Sequence, residues 1–112
     1  MKLWLSVKIK ARKWRCYKCK TVTDEGDKLQ GLCDYGPGTI KVRIQEDVEE
    51  IPASKIERAI LVHELLHALG DAFGFDLRDH GQPGGEAQID RVSVALLHFN
   101  ETNPLFWRRM LK

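Results

Sequence analysis

Residues His63-Glu64-Leu65-Leu66-His67 set two imidazoles four positions apart, with a carboxylate beside the first. In a helix, residues i and i+4 stand about 5–6 Å apart at Cβ, so both rings can reach a single metal ion. Glu64 is rotated away from that pair by one residue, yet its side chain can still reach a water at the same ion. The apolar flanks Ala59-Ile60-Leu61-Val62 and Ala68-Leu69 favour a helix, and Ile56, Ile60, His63 and His67 recur at steps of four, three and four. This recurrence predicts that both histidines continue an apolar stripe and face inward. A core helix whose histidines bond to buried carbonyls would show the same stripe. Two inward imidazoles with an adjacent Glu are, however, a costly way to fill a core.

A zinc ion needs a third protein donor, and a catalytic site leaves the fourth position to water. Glu86 is the first Glu after His67, and Asp90 lies one turn beyond it. Asp90 and the intervening Asp76, Asp79 and His80 are alternative donors, whereas Asp71 falls on the wrong face of the His helix. The metzincin pattern is excluded, because Gly70 is present but position 73, where that pattern has His, is Phe73.

The order H-E-x-x-H, eighteen residues, then Glu86-x-x-x-Asp90 resembles the gluzincin clan of zinc metallopeptidases. The stretch from Glu86 to Leu97 is also similar to the second helix of small phage and bacterial zincin-like proteins, including the ImmA/IrrE group. The alternating run Thr39 to Ile44, which precedes the His helix, matches the strand of those chains. Together the likeness covers about residues 31 to 105. It implies zinc held by His63, His67 and Glu86, with Glu64 as the general base of peptide-bond hydrolysis. It also implies that Asp90 orients a ligand histidine. A donor for the transition-state oxyanion is not identified by the pattern. By chemistry alone His80, Arg78, His98 and Tyr35 qualify, and His80, in a Gly-rich segment, is preferred.

With 112 residues, 43% of them apolar, the chain has room for one domain with one core. Its residues 1–45 read as strand-rich and 54–112 as helical. The run Leu3 to Val7 is interrupted by Lys8 and is too short to span a membrane, so a cytoplasmic protein is expected. Net charge is only +2, yet Lys2, Lys8, Lys10, Arg12, Lys13, Arg15, Lys18 and Lys20 share the first twenty residues with no acid among them. Such a segment, with Trp4, Trp14 and Tyr17 interleaved, suits nucleic-acid phosphate. It equally suits an edge strand that uses lysines to discourage sheet-to-sheet pairing. An odd three cysteines argue against a disulfide framework. Cys16-x-x-Cys19 with Cys33 forms part of a structural zinc set that lacks a soft fourth donor, or else three incidental thiols.

Leu3, Leu5, Val7 and Ile9 alternate with Trp4, Ser6, Lys8 and Lys10, which is the period of a half-buried strand. Residues 20–38 read as turns with a short strand near Lys28 to Leu32, and Thr39 to Gln45 as a strand whose exposed edge could take up a substrate peptide. Ser54-x-x-Glu57 predicts a capping box opening the His helix, which Gly70 or Gly74 would end. A second helix, Glu86 to Phe99, should bury Ile89, Val92, Leu96 and Phe99. Thr102-Asn103-Pro104 should open a short terminal helix with proline in its first turn. The expected fold is therefore α+β, a minimal zincin-like domain: a small, mainly antiparallel sheet packed on the H-E-x-x-H helix and a second ligand-bearing helix.

Overall fold

The computed structural model describes residues 1–76 and 86–111, with residues 86–89 as backbone only. In chain order, β1 (Lys2–Ile9) and β2 (Arg12–Cys19) form a hairpin, followed by the two-residue strands β3 (Thr23–Asp24) and β4 (Asp27–Lys28). Next come β5 (Gly31–Asp34) and β6 (Thr39–Arg43), then the helices α1 (Ala53–Phe73), α2 (Glu86–Thr102) and α3 (Phe106–Met110). The domain is α+β, with a mixed sheet and three helices.

The main sheet has the order β1-β2-β6-β5. Two of its ladders are antiparallel, as the alternation suggests, but β6 lies parallel to β2, with Cys16 opposite Ile40 and Lys18 opposite Val42. The cause is the path between them: the chain leaves β2, makes the β3–β4 hairpin and lays down β5 at the far edge. It then turns back to fill the gap with β6. The strand from Thr39 is therefore central, which corrects its expected place at an exposed edge. The edges are β1 and β5.

One face of the sheet carries Leu5, Val7, Ile9, Trp14, Cys16, Ile40 and Val42, all buried, and packs on Leu61, Leu65, Ala68 and Leu69 of α1 and on Ala95 and Phe99 of α2. Leu3 breaks the alternation and is half exposed, because the β1–β2 register shifts between Leu3 and Leu5. Such a bulge turns the residues before it to the opposite face. Phe106 and Met110 of α3 close the open end of this core.

The predicted capping box is absent. Helix α1 begins one residue earlier, after Pro52, and the Oδ1 of Asp47 accepts from the Ala53 N–H at 2.7 Å in place of a Ser54 cap. Glu57 lies on the buried stripe one turn before Leu61, so its carboxylate turns inward. There Lys18 Nζ donates to it at 3.0 Å and the Gln45 N–H at 2.9 Å. Lys18 also sits over the Trp4 ring. Gly74, at φ +77°, ends α1 with its N–H on the Gly70 carbonyl, while Gly70 stays inside the helix because Phe75 passes close against it. Helix α2 runs three residues past the expected Phe99 and buries Ala95 and Phe99 fully. Asn103 does not open a helix. It donates to the Lys8 carbonyl and accepts the Lys8 N–H at 2.7 Å, and α3 starts only at Phe106. Among the described residues no helix is long and apolar enough to cross a membrane.

Because Glu57 is only 5% exposed, removing Lys18 leaves a buried carboxylate with one donor. Lys18→Met should cost about 2 kcal/mol in urea unfolding. Replacing both residues by Met should recover part of that loss, whereas additive losses would show that the pair does not interact.

Candidate metal centre

Helix α1 brings His63, Glu64 and His67 into one group, the only such cluster of metal-ligating side chains among the described residues. The two Nε2 atoms lie 3.3 Å apart, and the rings meet edge to face with centroids 4.9 Å apart. Two nitrogens at about 2.0–2.1 Å from a tetrahedral zinc are separated by about 3.3 Å, so the pair already has the ligand-to-ligand edge of such a site. Each of the three residues offers a donor atom within 4.8 Å of the other two. For Glu64, that is a span that one intervening water can bridge.

The imidazoles do not face inward as the stripe predicts. His63 is exposed and His67 half-buried, because the core face of α1 is the neighbouring stripe of Leu61, Leu65, Ala68 and Leu69. The stripe of Ile56, Ile60, His63 and His67 lies along its margin, facing the edge strand β5. Between helix and strand a cleft of about 430 Å³ is lined by Leu29, Gln30, Gly31, Ile56, Ala59, Ile60, His63 and Glu64.

Glu64 is 8% exposed, and among the described residues it makes no hydrogen bond or ion pair. Burial raises its pKa above the ordinary 4.5, and the charge of His63 opposes this in part. Gly31 explains how the strand comes so close. A Cβ at that position would meet Ile60 Cγ2 at 2.7 Å, Glu64 Cγ at 3.0 Å and Glu64 Oε2 at 3.2 Å. Gly31 falls within the short strand expected near Lys28 to Leu32, but its packing on the helix was not expected. The available signal was a glycine ahead of Leu32-Cys33, since glycine in a strand marks a close backbone approach.

Cys33 was likewise not expected beside this group, whereas Tyr35 is one of the oxyanion donors that the sequence offers. Cys33 is two residues along β5 and on the same face as Gly31, and the Tyr35 hydroxyl donates to the His67 carbonyl at 3.3 Å. The Cys33 thiol is pushed up to about 12, first by burial and then by the carboxylates of Glu64, Asp71 and Asp34, while its contact with Tyr35 works in the opposite direction. Burial, with a contribution from Cys33, raises Cys16 to about 12 as well. The three cysteines do not assemble a second metal site. Cys16 and Cys19 are three apart in an extended strand and so face opposite sides of the sheet.

The other sequence candidates divide as follows. Glu86 is the first residue of α2, and its side chain lies outside the described residues, as do Arg78, Asp79 and His80 altogether. Asp90 is exposed on α2 and is not part of the group. Asp76 is exposed and outside the group. His98 is occupied elsewhere: its Nε2 accepts the Lys10 N–H at 3.1 Å and its ring packs on Phe73, which anchors the β1–β2 turn. The Arg91 guanidinium donates to the Gly74 carbonyl at 2.9 Å and holds the early turns of α2 against the end of α1.

Comparison with protein-family models, with curated proteins and with solved structures gives no match.

The raised Glu64 pKa carries a sign. Below about pH 4 the group is protonated folded and unfolded and costs nothing; as pH rises past 4.5 and through the higher folded value, stability is lost. Metal-free Glu64→Gln should therefore melt above wild type at about pH 7, the difference vanishing near pH 3.5. Thermal melts in a chelator across that range check it, and a gain that persists in acid would refute the burial argument.

Proposed function

We propose that this chain is a zinc-dependent peptidase built on a minimal zincin-like domain. His63 and His67 would hold the ion, Glu86 would complete its protein donors from α2, and Glu64 would act as general base. The observation that carries the reading is the 3.3 Å separation of the two Nε2 atoms beside the largely buried Glu64, whose carboxylate lines the cleft on the same helical turn. The donor chemistry fits zinc, with two neutral imidazoles and a carboxylate. The tether from Arg91 to Gly74 supports a donor from the first turn of α2.

When bound, zinc would supply Lewis acidity towards a water and towards a peptide carbonyl. Glu64 would take the proton of the attacking water on a carboxylate oxygen and pass it to the nitrogen of the departing amine. A raised pKa suits both transfers, because a base that ionises closer to neutrality also returns the proton more readily.

The peptide would lie along β5. Gln30 and Arg43 form a hydrogen-bonded pair, Arg43 N–H to Gln30 carbonyl at 2.8 Å, so the next opposed pairs alternate. Gly31 and Cys33 therefore direct their N–H and carbonyl groups away from β6, to an edge with no strand beside it among the described residues. A substrate strand added there would run past Glu64. Tyr35, tied to the His67 carbonyl, stands closer to the group than any other oxyanion donor among the described residues that the sequence suggests.

Zinc-loaded wild type should cleave a proteome-derived peptide library. Glu64→Gln should keep one zinc per chain by elemental analysis and lose about 10²–10⁴-fold in cleavage rate. His63→Ala and His67→Ala should lose the zinc, and Glu86→Ala should lower its occupancy. Equal zinc in wild type and Glu64→Gln with no cleavage by either would overturn the enzymatic reading and leave a metal-binding protein.

A further inference from the structure

The sheet face turned away from the helices is cationic, and nothing in the fold calls for it. By register, Lys8 stands directly opposite Lys13, Ser6 opposite Arg15, and Tyr17 opposite both Leu3 and Lys41, all on that outer face. Lys8, Lys13 and Arg15 are exposed, Tyr17 and Lys41 are half-exposed, and none of the four cations is in an ion pair among the described residues. Like charges set directly across a ladder destabilise it. Three further cations of the hairpin are used differently. Lys18 binds Glu57, Arg12 donates to the Gly36 carbonyl and lies over Trp14, and Lys10 lies over Phe73. The acids Glu46, Asp47, Glu49 and Glu50 lie in the segment after β6 and Asp24, Glu25 and Asp27 in the β3–β4 hairpin, and within the four strands of the sheet Asp34 is the one acid, at a corner.

A face that gathers four unpaired cations around an aromatic ring, at a cost to its own ladder, fits a flexible polyanion carrying flat rings. We infer that the outer face of the sheet binds single-stranded nucleic acid. Lys8, Lys13, Arg15 and Lys41 meet the phosphates, and a base stacks on Tyr17. A duplex fits less well, since its stacked bases cannot reach a ring lying within a sheet. The inference is independent of the metal centre, which occupies the other side of the sheet.

The test is fluorescence polarisation of a labelled twenty-nucleotide oligo-dT with the full chain. Four phosphate contacts should weaken binding roughly 50-fold between 50 and 200 mM salt. Lys13→Glu with Lys41→Glu should abolish binding. Lys55→Glu with Arg108→Glu, which makes the same change in net charge on the helices, should leave it within about twofold. Tyr17→Leu should lose roughly tenfold and Tyr17→Phe should retain wild-type affinity, with melting curves confirming that each variant folds. Absence of binding by wild type at 50 mM salt overturns the inference. So does a helix control as damaging as the sheet pair, a Tyr17→Leu chain that binds like wild type, or a duplex of equal length bound as tightly.

Discussion

Helix α1 buries two carboxylates two turns apart, and the molecule treats them in opposite ways. Glu57 is compensated: Lys18 reaches it from β2 and the Gln45 N–H from the segment after β6, so one side chain ties helix, hairpin and connecting loop together. Glu64 has neither cation nor N–H, and its oxygens open on the cleft beside His63. Partial burial disfavours its charged form. Its retention beside two imidazoles 3.3 Å apart gives this turn of helix its chemical character.

That uncompensated position depends on how closely the sheet approaches. Gly31 lets β5 lie against Ile60 and Glu64 at distances no side chain would allow. The same approach aligns the open edge of β5 with the two histidines. The parallel β2–β6 ladder makes this possible, because it moves β6 inward and leaves β5 at the margin facing α1. Strand order, a missing Cβ and a buried acid are thus parts of one arrangement.

Features fixed by local pattern were legible in the chain itself. The alternation of Leu5, Val7 and Ile9, a helix stop at either Gly70 or Gly74 and the helical placement of His63, Glu64 and His67 all follow from short-range rules. What was not legible depended on tertiary pairing. Ser54 and Glu57 have the spacing of a capping box, but Glu57 falls on the core face, and a cation 39 positions away on β2 outcompetes the backbone for it. Leu3 matches the strand period, yet a bulge reverses it. Asn103-Pro104 reads as a helix start, while the asparagine is taken by both polar groups of Lys8. His63 follows the apolar stripe of Ile56 and Ile60, which proves to be the rim of the helix rather than its buried side. In each case the local signal was real and a long-range partner prevailed.

The bonds between Asn103 and Lys8 join positions 95 apart, and the Arg109 side chain donates to the Trp4 carbonyl across a still longer interval. Strand β1 is thus fastened by residues synthesised 95 and 105 positions after it. While the chain is still emerging from the ribosome, the β1–β2 hairpin has to wait with its apolar face uncovered.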